Sequence, residues 1–81
     1  MAWVYVLRCA DGTLYTGWTA DLDKRLARHA AGKASAYTRS RLPVELALAL
    51  PMPGRSEAMR EEARIKRLPR ADKLALLAAS G

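Results

Sequence analysis

Residues 3–17, WVYVLRCADGTLYTG, hold the reading on which the rest of the chain depends. Trp3 to Cys9 are rich in β-branched and aromatic types, Ala10-Asp11-Gly12 is turn chemistry, and Thr13 to Trp18 resumes a strand-like run, which together predict a β-hairpin. Loop length then decides which side chains share a face. A two-residue loop at Asp11-Gly12 sets Tyr5 opposite Trp18 and sends Tyr15 to the other side of the sheet. A three-residue loop, with Gly12 left-handed in a G1 bulge, pairs Cys9 with Thr13 and Tyr5 with Gly17. Tyr5, Leu7, Tyr15 and Gly17 then lie on one face, with Gly17 as a bare spot where a backbone or ligand can approach. A buried tyrosine most often packs its ring and finds an acceptor, so one alone is poor evidence of chemistry. Two on one face beside a glycine are better evidence.

Working outward, Thr19 is placed to cap a helix with Asp21 in its first turn, closing at Gly32 and turning Leu22, Leu26 and Ala30 inward. Lys33 to Pro43, KASAYTRSRLP, has no sustained period and reads as a basic loop. VELALAL, residues 44–50, alternates at period two and predicts a third strand with Val44, Leu46, Leu48 and Leu50 on one face. Pro51-Met52-Pro53-Gly54 ends it. Ser56 caps a second helix to about Leu68, and Pro69 opens a short third one with Ala71, Leu74, Leu77 and Ala78 inward. The class is α+β, in the order ββαβαα, and 81 residues without a linker or repeat predict one domain, 1–81.

One cysteine excludes an internal disulfide, and one Cys with one His excludes a Cys/His metal cluster. With neither a secretory h-region nor an apolar run of membrane-spanning length, Cys9 implies a reduced, cytoplasmic setting and no membrane role. The balance of 14 Lys+Arg against 8 Asp+Glu, net +6, favours a polyanionic partner. Lys24, Arg25, Arg28, Lys33, Arg39 and Arg41 fall in a stretch without a single acid, which intrahelical pairing does not explain and phosphate contact does.

Two constellations stand out of phase. Counting 100° per residue from Ala58, Ile65 lies at about 340°, Met59 at about 100° and Ala63 at about 140°, while Glu62, at about 40°, falls inside that apolar arc with Lys66 beside it. Glu57, Arg60, Glu61, Arg64 and Arg67 lie on the opposite side, where charge is readily solvated. Glu62 is then either half of an i,i+4 pair with Lys66, or a cleft carboxylate able to coordinate Mg²⁺ or Mn²⁺ against a substrate phosphate. In the first helix Asp21, Arg25 and His29 share one face: a surface ladder on one reading, a phosphate fork with a proton-handling imidazole on the other.

WVY at 3–5 and YTG at 15–17, followed by Arg25, His29 and Glu62 on later helices, resemble the GIY-YIG nuclease superfamily. The pattern YVL-R-C-x-DG-x-LYTG-x-T, the YTR segment and SEA…EA-x-IK-x-L are most similar to its small stand-alone bacterial members, UPF0213-like proteins, over nearly the whole chain. The resemblance implies a three-stranded antiparallel sheet flanked by helices, and an endonuclease that cuts DNA phosphodiesters with one divalent cation, with DNA repair or processing as a role. By position it implies a catalytic set of Tyr5, Tyr15, Arg25, His29 and Glu62, with Glu62 on the metal. Either tyrosine is open as the base. Lys24, Arg28, Lys33, Tyr37, Arg39, Arg41 and Lys66 join Arg25 as expected nucleic-acid contacts, to DNA or to RNA, with Trp18 and Tyr37 as stacking surfaces. Trp3, Val4 and Thr16 replace motif residues with strand formers, and Trp18 stands where some repair-type members have a lysine, so that cation is absent or supplied elsewhere. The competing reading is a catalytically silent nucleic-acid-binding module of the same fold.

Overall fold

Asp11 and Gly12 close the first hairpin through the odd-numbered loop. In the computed structural model, which describes residues 1–80 with Ser80 as backbone alone, Gly12 adopts a left-handed φ of 84°. Its N–H donates to Cys9 O at 2.9 Å, and the Cys9 N–H donates to Thr13 O at 2.9 Å. Asp11 Oδ1 braces the turn by accepting the Thr13 N–H at 3.1 Å and the Thr13 hydroxyl at 2.6 Å. Strand β1 (Ala2–Cys9) therefore pairs antiparallel with β2 (Leu14–Thr19) in the register Tyr5↔Gly17 and Leu7↔Tyr15, and both phenols fall on one face.

Strand β3 (Val44–Met52) pairs antiparallel with the other edge of β1, giving the order β2-β1-β3. Its register slips between Val6↔Leu48 and Leu7↔Leu46, so Ala47 is an extra residue, a β-bulge. The bulge splits the predicted stripe: Leu48 and Leu50 stay with Val6 and Val4, while Leu46 and Val44 follow Leu7 and Cys9 to the other face, and Leu46 is left exposed.

On the face of Val4, Val6 and Leu48, helices α3 (Arg55–Lys66) and α4 (Arg70–Ser80) bring Ala58, Ile65 and Leu77 to close the hydrophobic core. Ala58 and Ile65 are fully buried, as helical phase predicts, but Met59 is exposed, so the apolar arc of α3 is narrower than expected. The N-cap of α3 is Gly54 rather than Ser56. In α4 the inward residues are Leu77 and, partly, Leu76; Ala71, Leu74 and Ala78 face out.

Helix α1 (Leu22–Ala30) starts two residues later than predicted, because Asp21 is the N-cap and accepts the Lys24 N–H at 3.1 Å. Thr19 instead accepts the Asp21 N–H, at 3.1 Å. Its buried residue is His29, and Ala30 is exposed. The predicted basic loop contains one turn of helix, α2 (Ala36–Arg39), capped by Ser35 Oγ on the Tyr37 N–H at 3.1 Å. Apart from that turn the order is ββαβαα. Among the described residues no helix is long and apolar enough to cross a membrane.

Candidate active site

The missing side chain at Gly17 makes room for the Tyr5 phenol, not for a ligand. A Cβ there would lie 2.6 Å from Tyr5 Oη and 2.7 Å from Tyr5 Cζ, so any side chain at this register position would displace the ring. From there Tyr5 Oη meets His29 Nε2 at 2.8 Å. On the far side of the imidazole, His29 Nδ1 lies 2.9 Å from Thr38 Oγ1, whose hydroxyl donates to Ser35 O at 3.3 Å. Tyr5, His29 and Thr38 are all at most 1 % exposed, so β1, α1 and α2 meet in a buried polar chain with every side chain partnered. Tyr15 borders it: its ring centroid is 5.3 Å from that of His29 and 6.5 Å from that of Tyr5.

The wet side is an open pocket of about 460 Å³, lined by Tyr5, Tyr15, Gly17, Arg25, Arg55 and Glu62, with Trp18 and the Thr19–Asp21 turn at its rim. Glu62 is half-buried and its carboxylate sits 3.7 Å from Lys66 Nζ, so both expectations for it hold at once: it makes the i,i+4 pair and it faces the pocket. Neither Arg25 nor Arg55 makes an ion pair among the described residues, and the Arg55 guanidinium lies 5.8 Å from the Trp18 ring centroid. Burial, and to a lesser degree Tyr15, push the Tyr5 phenol up to about 12 against the easing effect of Arg25. Burial pushes His29 down, and Arg25 adds to it. At neutral pH the pair is thus an uncharged phenol bonded to an uncharged imidazole.

The Asp21–Arg25–His29 ladder does not form. Asp21 caps α1, Arg25 turns to the pocket and His29 is buried. Of the basic run only Arg25 lines the pocket; Lys24, Arg28, Lys33 and Arg39 are exposed. Arg41 is held in the fold, with Nε 3.1 Å from Asp11 Oδ2, Nη1 2.9 Å from Tyr37 O, and Cζ 3.9 Å from the Tyr37 ring centroid. Arg41 lies over the Tyr37 ring and Tyr15 is 5.8 Å from it, while Tyr37 remains 37% exposed. Glu61, assigned to the solvated side, is as covered as Glu62 and forms a two-pronged bond to Arg64 at 2.7 and 2.9 Å. Sequence reading missed Arg55 and Thr38. Arg55 reaches the pocket from a helix start 37 positions beyond Trp18, and nothing local marks it.

Among the described residues no three His, Cys, Asp or Glu side chains gather as a metal cage. The donor set nevertheless fits a Mg²⁺-type ion, which takes one or two carboxylates and otherwise water and substrate phosphate. Glu62 in an open pocket with two cations provides that arrangement.

The sequence pattern described as the GIY-YIG catalytic domain matches residues 1–75. The chain is 53% identical over 78 residues to a UPF0213 protein of Nitratidesulfovibrio vulgaris, spanning 96% of this chain and 71% of the relative. It is 53% identical over 73 residues to a UPF0213 protein of Halobacterium salinarum, spanning 90% of this chain and 95% of the relative. The solution NMR structure of a UPF0213 protein from Bacillus halodurans superposes with a TM-score of 0.67 at 44% identity, covering 100% of this chain and 87% of that one.

Proposed function

This chain belongs to the GIY-YIG catalytic-domain family, and on that premise we propose that it is a metal-dependent nuclease hydrolysing DNA phosphodiester bonds, selective for strand geometry rather than base sequence. The observation that carries the reading is the Tyr5–His29 hydrogen bond opening onto a pocket that also holds Arg25 and Glu62. A phosphodiester needs charge compensation, a route for the proton of the attacking water and a water-accessible floor. The pocket supplies each from a different element.

Arg25, without an ion pair among the described residues, forks onto the non-bridging oxygens and balances the charge that grows as water adds to phosphorus. Arg55, whose guanidinium lies 5.8 Å from the Trp18 ring centroid, supplies a second cation. A phenol held near 12 is a poor base by itself, so Tyr5 acts as a conduit: its oxygen accepts the water proton as its own proton passes to His29 Nε2. Tyr15 flanks the attack position. Glu62 is the residue to hold Mg²⁺ or Mn²⁺, and such an ion would supply Lewis-acid stabilisation of the phosphate and of the leaving 3′ oxygen. Lys24, Arg28, Lys33, Arg39 and Lys66 are left to meet the backbone of the nucleic acid.

The proposal is tested with end-labelled single-stranded, duplex and branched DNA, and RNA in parallel, incubated with Mg²⁺ or Mn²⁺. Wild type is expected to cut, and Tyr5→Phe to lose roughly 10²- to 10⁴-fold in kcat. Binding without cleavage on every substrate would replace the enzyme with the binding module.

A further inference from the structure

His29 is the only histidine of the chain, it is fully buried, and both ring nitrogens are engaged, so the role of each nitrogen is decided by its neighbours. Three hydrogens must be distributed over the row Tyr5–His29–Thr38–Ser35: one on the phenol, one on the neutral imidazole and one on the threonine hydroxyl. Ser35 O only accepts; it takes the Arg39 N–H at 2.9 Å on one lone pair and has the other for Thr38 Oγ1 at 3.3 Å, and the distribution that uses every hydrogen inside the row gives it the Thr38 hydrogen. Thr38 Oγ1 is then an acceptor toward the ring, and the imidazole hydrogen sits on Nδ1. Nε2 is left with its lone pair toward Tyr5, whose hydroxyl donates to it. The reverse arrangement puts Nε2–H against the phenol, takes the threonine hydrogen from Ser35 O, which keeps only the Arg39 N–H at 2.9 Å, and turns the phenol's hydrogen out to the pocket, so the buried chain holds one internal hydrogen bond fewer. Buried groups do not bear that loss cheaply.

We infer that Thr38 is the positioning residue of this site: it holds His29 as the Nδ1–H tautomer, and so keeps Nε2 able to take the Tyr5 proton. The device is built from α2, the turn inside the basic YTR stretch. Ser35, in extended backbone at φ −151° and ψ 141°, caps the turn with its side chain and receives Thr38 with its carbonyl. A segment whose charge suggests DNA contact thus sends its one buried side chain inward, to the imidazole. The catalytic consequence rests on the nuclease reading; the tautomer does not.

Because the chain has one histidine, ring-¹⁵N histidine labelling gives one pair of signals, in which a protonated nitrogen is far upfield of a bare one. Wild-type protein at neutral pH is expected to show Nδ1 protonated and Nε2 bare. Thr38→Val, which keeps the shape and removes the acceptor, is expected to populate Nε2–H and to lower kcat by about 10²-fold or more while leaving metal-free DNA affinity unchanged. Thr38→Ser restores both. A wild-type spectrum with the proton on Nε2 overturns the inference, as does a Thr38→Val protein with unchanged ring signals. Should Thr38→Val not fold, the Tyr5→Phe spectrum decides in its place: Thr38 alone must still hold the proton on Nδ1, and its migration to Nε2 overturns the assignment. A protein that cuts nothing but shows the expected signals keeps the positioning role and loses the nuclease.

Discussion

Gly17 is where the register of a strand becomes chemistry. Its sequence context marks it as a bare position on the face of two tyrosines; what occupies the space depends on which ring leans over it, and that is set by His29 reaching down from α1. Gly17→Ala puts a methyl carbon 2.6 Å from Tyr5 Oη, so the ring must leave His29 or the strand must move. It should lower stability by about 1–3 kcal/mol in urea unfolding, the usual cost of overpacking, and abolish most cleavage. Protonation is a second residue-scale test. His29 is held below its usual range, so from about pH 6.5 downward the unfolded chain binds a proton the native one refuses, and stability falls with pH. Tyr5 is held up to about 12, so above about pH 10 the unfolded chain releases a proton that the native one keeps, and stability falls again as pH rises. Urea midpoints measured from acid to alkali should peak between these limits, and Tyr5→Phe should remove the phenol's share of the alkaline fall.

At the scale of elements, the hairpin was legible because turn residues announce themselves: Asp11 and Gly12 have local reasons for being where they are. Gly12→Ala should cost about 1–2 kcal/mol of stability, since it forces a side chain into a left-handed backbone, and a thermal melt would read it. The bulge at Ala47 was not legible. VELALAL alternates cleanly, and only pairing with β1 reveals the extra residue. Likewise α2 is one turn long, too short for a period, and only its Ser35 cap betrays it. Ser35→Ala should cost about 0.5–2 kcal/mol and loosen Thr38. The helix faces were half legible: α3 is anchored where Ala58 and Ile65 predict, whereas α4 meets the core through Leu77 and Leu76 because packing, not its own pattern, sets its rotation. Of the candidate site, Tyr5, Tyr15, Gly17, Arg25, His29 and Glu62 stood out in the sequence by parity, helical phase and family resemblance; Thr38 and Arg55 reach it by tertiary contact alone.

For the whole molecule, a net charge of +6 on a body of 29 × 28 × 21 Å leaves room for backbone contact along less than one turn of duplex, which suits recognition of strand geometry. The logarithm of the metal-free DNA binding constant should fall linearly with log salt. Lys33→Ala or Arg39→Ala should each reduce that slope by about one unit, and Arg41→Ala, whose charge Asp11 already balances, by less. What ties charge, hairpin and buried proton chain into one account is the carboxylate on α3. The direct measurement is single-turnover cleavage of labelled DNA by wild type and Glu62→Ala across a Mg²⁺ series, with binding followed in parallel. The account predicts cleavage that saturates with Mg²⁺ in wild type and vanishes in Glu62→Ala while DNA binding persists; Glu62→Ala cutting at the wild-type rate would contradict it.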